Sequence, residues 1–181
     1  MALGALGAIH SIFVVIETPL RGLMMAGQPI IGFNFGAKLI SRVKSTLKFS
    51  YLYSLIISLT GFLAVMIFGE SMVSIFSKGD LELIAMGTRG IKIFLFMIPL
   101  AGLQMMSVMY FQAIGNAKRA IVLNLLRKVI LFLPALWLLP KVFGLDGVWA
   151  ATPFADLISA TIAIILVFNH MKTRLDKHSF I

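Results

Sequence analysis

Five apolar runs, at about residues 3–36, 49–68, 91–111, 121–139 and 148–168, are separated only by short polar or charged links. Each is as long as the roughly 20 residues an α-helix needs to cross the hydrocarbon core of a bilayer. A segment of that length in lipid must satisfy its own backbone N–H and C=O groups, which leaves helices or a closed barrel, and runs this long and evenly apolar specify helices. The composition agrees: 60% of residues are hydrophobic, 13% are charged and the mean hydropathy is +1.00. In 181 residues nothing is left over for a soluble domain, so residues 1–181 read as a single all-α integral membrane domain, an antiparallel bundle of five transmembrane helices. The first eight residues carry no basic flank before their apolar run, so the first segment is expected to stay in place rather than be cleaved as a secretory signal.

The net charge of +9 suits nucleic acid in a soluble protein, but here lysine and arginine report topology instead. The first link and its flanks hold Lys38, Arg42, Lys44 and Lys48 without an acid; the third holds Lys118 and Arg119. The tail holds Lys172, Arg174 and Lys177 against Asp176 alone. In the second link Lys78, Arg89 and Lys92 are matched by Glu70, Asp80 and Glu82, and in the fourth Lys141 is matched by Asp146. The positive-inside rule therefore predicts a multi-pass protein of the cell membrane with its amino end outside and its carboxyl tail in the cytoplasm. Trp137 and Trp149 are expected at the outer interface as aromatic anchors.

The first run, at about 1.5 Å per residue, is too long for a straight perpendicular crossing and must bend, tilt or protrude. Pro19 and Pro29 supply bending points there, and Pro99, Pro134 and Pro153 do so in later spans. On the same first helix His10, Glu17, Arg21 and Gln28 fall within about 40° at about 100° per residue, forming one polar stripe. Glu17 and Arg21, four residues apart, can pair and so lower the cost of carrying charge into lipid. Gluing helices together and lining a cavity are both open roles for them.

Asn124, Arg127 and Lys128 share a face of the fourth span, where they either snorkel to the inner headgroups or line a cavity. Thr152, Asp156 and Ser159 share a face of the last. Asp156 is the clearest intramembrane ionisable residue, to be paired with a base on a neighbouring helix or used functionally. Gln104, Tyr110 and Gln112 offer hydrogen bonds to helices or to a solute. Met24, Met25, Met105, Met106 and Met109 offer soft surface or core filling. The chain has no cysteine, nucleotide-binding loop, HExxH spacing or Ser/His/Asp constellation, which argues against a thiol enzyme, an ATPase and a hydrolase.

Four passages in order resemble the multidrug and toxic compound extrusion (MATE) family. The first, Gly27-Gln28-Pro29-Ile30-Ile31-Gly32-Phe33-Asn34-Phe35-Gly36-Ala37-Lys38 with Arg42-Val43-Lys44, is similar to the family's G-Q-P-I-x-G-Y-N-x-G-A passage. Tyr110 to Lys118 follows, then Leu126-Arg127-Lys128-Val129-Ile130 with Leu133-Pro134. The last is Gly144 to Trp149 with Pro153-Phe154-Ala155-Asp156. The resemblance implies part of the second lobe of a twelve-helix transporter, helices eight to twelve, with the amino-terminal lobe and one further helix expected upstream. It implies antiport, coupled to protons or sodium, that exports organic, drug-like solutes, with no enzyme activity and no cofactor beyond the coupling ion. It places Gln28, Asn34, Arg127 and Asp156 on family patterns, and Tyr110 opens the second passage; Glu17 and Arg21 match no family pattern and, like Gln104, are candidates from their chemistry. The third span carries Lys92 and no acid, so a cation site in this lobe is not expected.

The expected partners are the bilayer, small organic substrates and the other lobe, without nucleic acid; a five-helix piece alone is expected to be inactive, since alternating access needs two moving halves. Two alternatives share the membrane architecture: a lipid-linked oligosaccharide flippase of the same superfamily, and a non-transporting scaffold subunit. The flippase would line its cavity with more basic residues than Arg21, Arg127 and Lys128 provide.

Overall fold

The computed structural model describes residues 2–77 and 80–175. Lys78, Asp176 and Lys177, used above in reading charge, lie outside the described residues. Among the described residues seven α-helices follow one another: α1 (Ala2–Gly36), α2 (Ile40–Ser77), α3 (Leu81–Phe94), α4 (Ile98–Ala113), α5 (Ala117–Leu125), α6 (Phe132–Phe143) and α7 (Leu145–His170). A π-helical turn, Leu126–Leu131, joins α5 to α6, and a second, Met171–Leu175, extends α7. Among the described residues four continuous helices are long and apolar enough to cross a membrane: Gly4–Gly36, Ile40–Ser77, Ala117–Phe143 and Leu145–Thr173. Helices α3 and α4, bent by 47° at their junction, qualify together as a fifth.

The prolines act unequally. Helix α1 runs through Pro19 and Pro29 without interruption, whereas the third span breaks at 95–97, just before Pro99 in the first turn of α4. Proline fits that first turn, because its missing N–H would have no helical partner there, and it disfavours helix in the residue before it. Pro134 lies just beyond the π-helical turn, the wider coil that accommodates a ring crowding the carbonyl four residues back.

Helix α4 is the axis of the bundle. Every residue from Gln104 to Phe111 is buried, as expected of a helix that is apolar all round. Met105, Met106 and Met109 fill the core here, together with Leu20 and Ile31 of α1, Leu47 of α2, Leu123 of α5 and Val167 of α7. A second cluster, at the opposite end, joins Ile9 and Ile12 to Val65, Val73, Ile91, Leu95 and Trp149. Large apolar side chains such as Phe33, Ile75 and Phe168 cover the outside, the pattern of a surface solvated by lipid.

Close approach needs glycine at several positions, Gly90 and Gly27 among them. A Cβ on Gly90 of α3 would lie 2.7 Å from the Trp149 ring and 2.8 Å from Ile9 Cδ1; one on Gly27 of α1 would lie 2.7 Å from Met109 Sδ. Small residues of this kind let membrane helices pack backbone to backbone. Trp149 is thereby 2% exposed and buried in the core rather than anchoring an interface, while Trp137 is 65% exposed with the Lys141 ammonium 3.1 Å above its ring.

The helix ends sort by charge. At one end Arg89 of α3 donates to Asp146 of α7, and Asp80 caps α3 by accepting from the backbone N–H groups of Glu82 and Leu83. At the other, Phe35 of α1, the α4–α5 link and His170 of α7 meet, and the exposed bases Lys38, Arg42, Lys118 and Lys172 cluster nearby. Both links at this end close with the same hydrogen-bond pattern. Leu39 N–H donates to Asn34 O (2.8 Å) and Lys38 N–H to Phe35 O (3.0 Å); Asn116 N–H donates to Phe111 O (2.8 Å) and Gly115 N–H to Gln112 O (3.1 Å). This is the Schellman arrangement, which needs a left-handed residue. Gly115 supplies it at φ +76°, and on the first link the role falls to Lys38 at φ +58°.

Candidate functional site

A cavity of about 470 Å³ opens between α1, α3, the π-helical turn, α6 and α7. Its polar lining comes from residues on three segments distant in sequence: His10, Glu17 and Arg21 of α1, Arg127 and Lys128 of the π-helical turn, and Thr152 and Asp156 of α7. Because α1 stays helical through Pro19, the polar stripe of that helix is preserved and presents three of its four members to the cavity. Phe13, Phe94 and Phe132 form apolar walls, with Phe13 and Phe94 packed edge to face at 5.5 Å between centroids.

Two ion pairs hold the charges. Arg21 Nη2 donates to Glu17 Oε2 at 2.7 Å, one helical turn apart, with the Glu17 side chain 13% exposed and that of Arg21 63% exposed. Arg127 Nε donates to Asp156 Oδ1 at 2.6 Å, across from the π-helical turn to α7, with the two side chains 12% and 4% exposed. The second pair is therefore the more deeply withdrawn from solvent, where a charge is tolerated only when paired. Lys128, one residue on, adds a further cation to the lining. An apolar-walled space holding two carboxylates and three bases can exchange partners. Protonating a carboxylate, or bringing a charged solute beside one, competes directly with the existing pair.

The remaining sequence candidates lie elsewhere. Gln28 is exposed on α1. Asn34 donates to the Ile30 carbonyl of its own helix at 2.8 Å, and that residue's own carbonyl accepts from Leu39 in the link closure. Gln104 is buried and donates a long 3.4 Å bond to the Leu123 carbonyl, tying α4 to α5. Tyr110 is fully buried, hydrogen-bonded at 2.9 Å to His170 Nδ1 and packed against the Phe111 ring. Of the candidates, Glu17, Arg21, Arg127 and Asp156 come together and these four do not. The aromatic walls Phe13, Phe94 and Phe132 were missed, since an apolar residue in an apolar run carries no sequence signal of facing a cavity. Among the described residues no group of three or more His, Cys, Asp or Glu side chains is placed to hold a metal ion.

Comparison with known proteins gives consistent results. The MatE family model matches residues 1–138. The multidrug export protein MepA of Staphylococcus haemolyticus (strain JCSC1435) is 27% identical over 167 residues, which are 91% of this chain and 36% of MepA. The structure of the MATE multidrug transporter DinF-BH superimposes with a TM-score of 0.84 at 33% identity, over 92% of this chain and 37% of that one. An inward-facing multidrug resistance MATE family transporter of the MOP superfamily shares the fold, with a TM-score of 0.89 at 16% identity over 96% of this chain and 40% of that one. The chain spans little more than a third of the length of the relatives it matches.

Proposed function

Since the chain belongs to the MatE family of membrane transporters, we propose that it forms most of the second lobe of a cation-coupled exporter of organic solutes, acting only together with the rest of such a transporter. The observation that carries this reading is the convergence of Glu17, Arg21, Arg127 and Asp156 on one aromatic-walled cavity. In that cavity the Arg127–Asp156 pair is the element that changes state: a coupling proton or sodium ion on Asp156 releases Arg127, and rearrangement of the pair reshapes the wall between α7 and the π-helical turn. Glu17 and Arg21, the more exposed pair, meet the solute first. Asn34, Gln104 and Tyr110 serve helix closure and packing, while Gln28 stays on the exposed side of α1. The basic ends, including Lys38 and Lys118, face the cytoplasm and the amino end starts outside, as the distribution of bases supports.

The charge balance favours an organic solute over a large anionic lipid head, because two of the three bases that line the cavity are already matched by carboxylates. Export is tested in a two-lobed protein that includes this chain, by dye efflux from cells. Asp156→Asn and Arg127→Ala are each expected to reduce efflux while membrane insertion is retained. Undiminished efflux in both variants would remove the pair from the transport cycle. Imposed proton and sodium gradients in proteoliposomes then identify the coupling ion.

A further inference from the structure

The end of the bundle formed by the α1–α2 link, the α4–α5 link and the end of α7 carries more charge than the transport reading uses. Lys38, Arg42, Lys48, Lys118, Arg119 and Lys172 are all exposed there. The six described carboxylates lie elsewhere: Glu17 and Asp156 in the cavity, and Glu70, Asp80, Glu82 and Asp146 on the half that carries the Arg89–Asp146 pair. Only Asp176, beside Lys177 in the tail and outside the described residues, follows in sequence. So many exposed like charges at one rim repel one another and attract anions.

The rim also has a seat. A pocket of about 420 Å³ is lined by Phe35 of α1, Ile114 and Asn116 of the α4–α5 link, Lys118 of α5 and His170 of α7. Its apolar side is continuous with the buried core, since Phe35 and Ile114 pack against it, while Lys118 stands at its polar side. Beside it the Arg119 guanidinium lies 5.5 Å from the Phe111 ring centroid, and that ring is 5.8 Å from His170. An apolar floor with cationic edges, at the level where the helices leave the bilayer, matches a molecule with a phosphate joined to hydrocarbon. It does not match a fully hydrated small anion.

We propose that this rim binds anionic phospholipid headgroups, with the pocket between Phe35, Lys118 and His170 seating one phosphate and its glycerol, and Lys38, Arg42 and Lys172 drawing further anionic lipid around it. Basic pockets between helices at a membrane face are suited to such headgroups, and the attraction decays within a Debye length.

The test uses the full chain in mild detergent, titrated with phosphatidylglycerol or with phosphatidylcholine of the same acyl chains, bound lipid being counted by native mass spectrometry. Wild type is expected to retain phosphatidylglycerol at least 5-fold better than phosphatidylcholine. The Lys38→Gln/Lys118→Gln variant is expected to lose most of that preference, and Lys141→Gln, at the opposite end, to keep it. If the double variant fails to fold by circular dichroism, Arg42→Gln/Lys172→Gln, which leaves the pocket intact, is expected to lower the number of phosphatidylglycerol molecules retained. Equal retention of the two lipids by wild type, or an unchanged preference in a folded double variant, would overturn the proposal. So would displacement of phosphatidylglycerol by an equal concentration of inorganic phosphate, which would assign the rim to a soluble anion.

Discussion

Cutting one partner from the Arg127–Asp156 pair should be far more damaging than removing both. In Arg127→Ala the Asp156 carboxylate, with its side chain 4% exposed, loses the cation 2.6 Å away while remaining enclosed by α7 and the π-helical turn. Breaking a buried pair costs about 3–5 kcal/mol; because the cavity beside it admits water, the lower figure applies, about 3 kcal/mol or on the order of 100-fold in the folding equilibrium. In Arg127→Leu/Asp156→Leu neither charge remains and much of the space is filled with hydrocarbon, so most of that loss should be recovered. The assay is reversible unfolding of the chain in mixed micelles, titrated with sodium dodecyl sulfate and followed by circular dichroism. A double-mutant coupling energy of about 2–3 kcal/mol is expected. A double variant as unstable as the sum of the two single variants would refute the reasoning, because the pair would then not share one energetic term.

Three further outcomes follow from local geometry. Lys38→Gly places the residue that tolerates φ +58° where lysine now stands and should stabilise the chain by about 1 kcal/mol, read in the same unfolding titration; a loss would mean the lysine makes a contact outweighing its backbone strain. Gly90→Ala drives a methyl group toward the Trp149 ring and Ile9 and should destabilise by about 1–3 kcal/mol, with an accompanying change in Trp149 fluorescence; an unperturbed spectrum would contradict the close approach of α3 to α7. Arg89→Ala removes a pair whose arginine side chain is 70% exposed, so its effect should stay below about 1 kcal/mol and shrink further at high salt, measured by thermal shift.

What sequence could reveal depended on how local the cause was. The helical class and the membrane crossings follow from runs of apolar residues, which report the solvent directly. Glu17–Arg21 was legible because a spacing of four fixes the geometry on one helix. The base that partners Asp156 was foreseeable only as one on a neighbouring helix. Arg127 is 29 residues away, and its approach depends on a π-helical turn that no periodicity announces. Tyr110 and Gln104 carry the same chemistry as cavity residues, and only the packing of α4 along the bundle axis turns them inward. Trp149 looked like an interface residue from its position near the end of a span, but the small residue Gly90 opposite it let the ring into the core. Prolines told where bending was permitted, while neighbouring contacts decided that α1 stays whole and α3–α4 breaks.

The central claim, that this cavity moves solute and does not merely bind helices together, separates from stability in the Arg127→Leu/Asp156→Leu variant. The decisive measurement is dye efflux by a two-lobed protein that includes this chain, reconstituted in proteoliposomes under an imposed ion gradient, with unfolding measured on the same preparations. Near wild-type stability is expected, with efflux reduced at least 10-fold. Near wild-type efflux from the stable double variant would contradict it and leave the pair as helix glue.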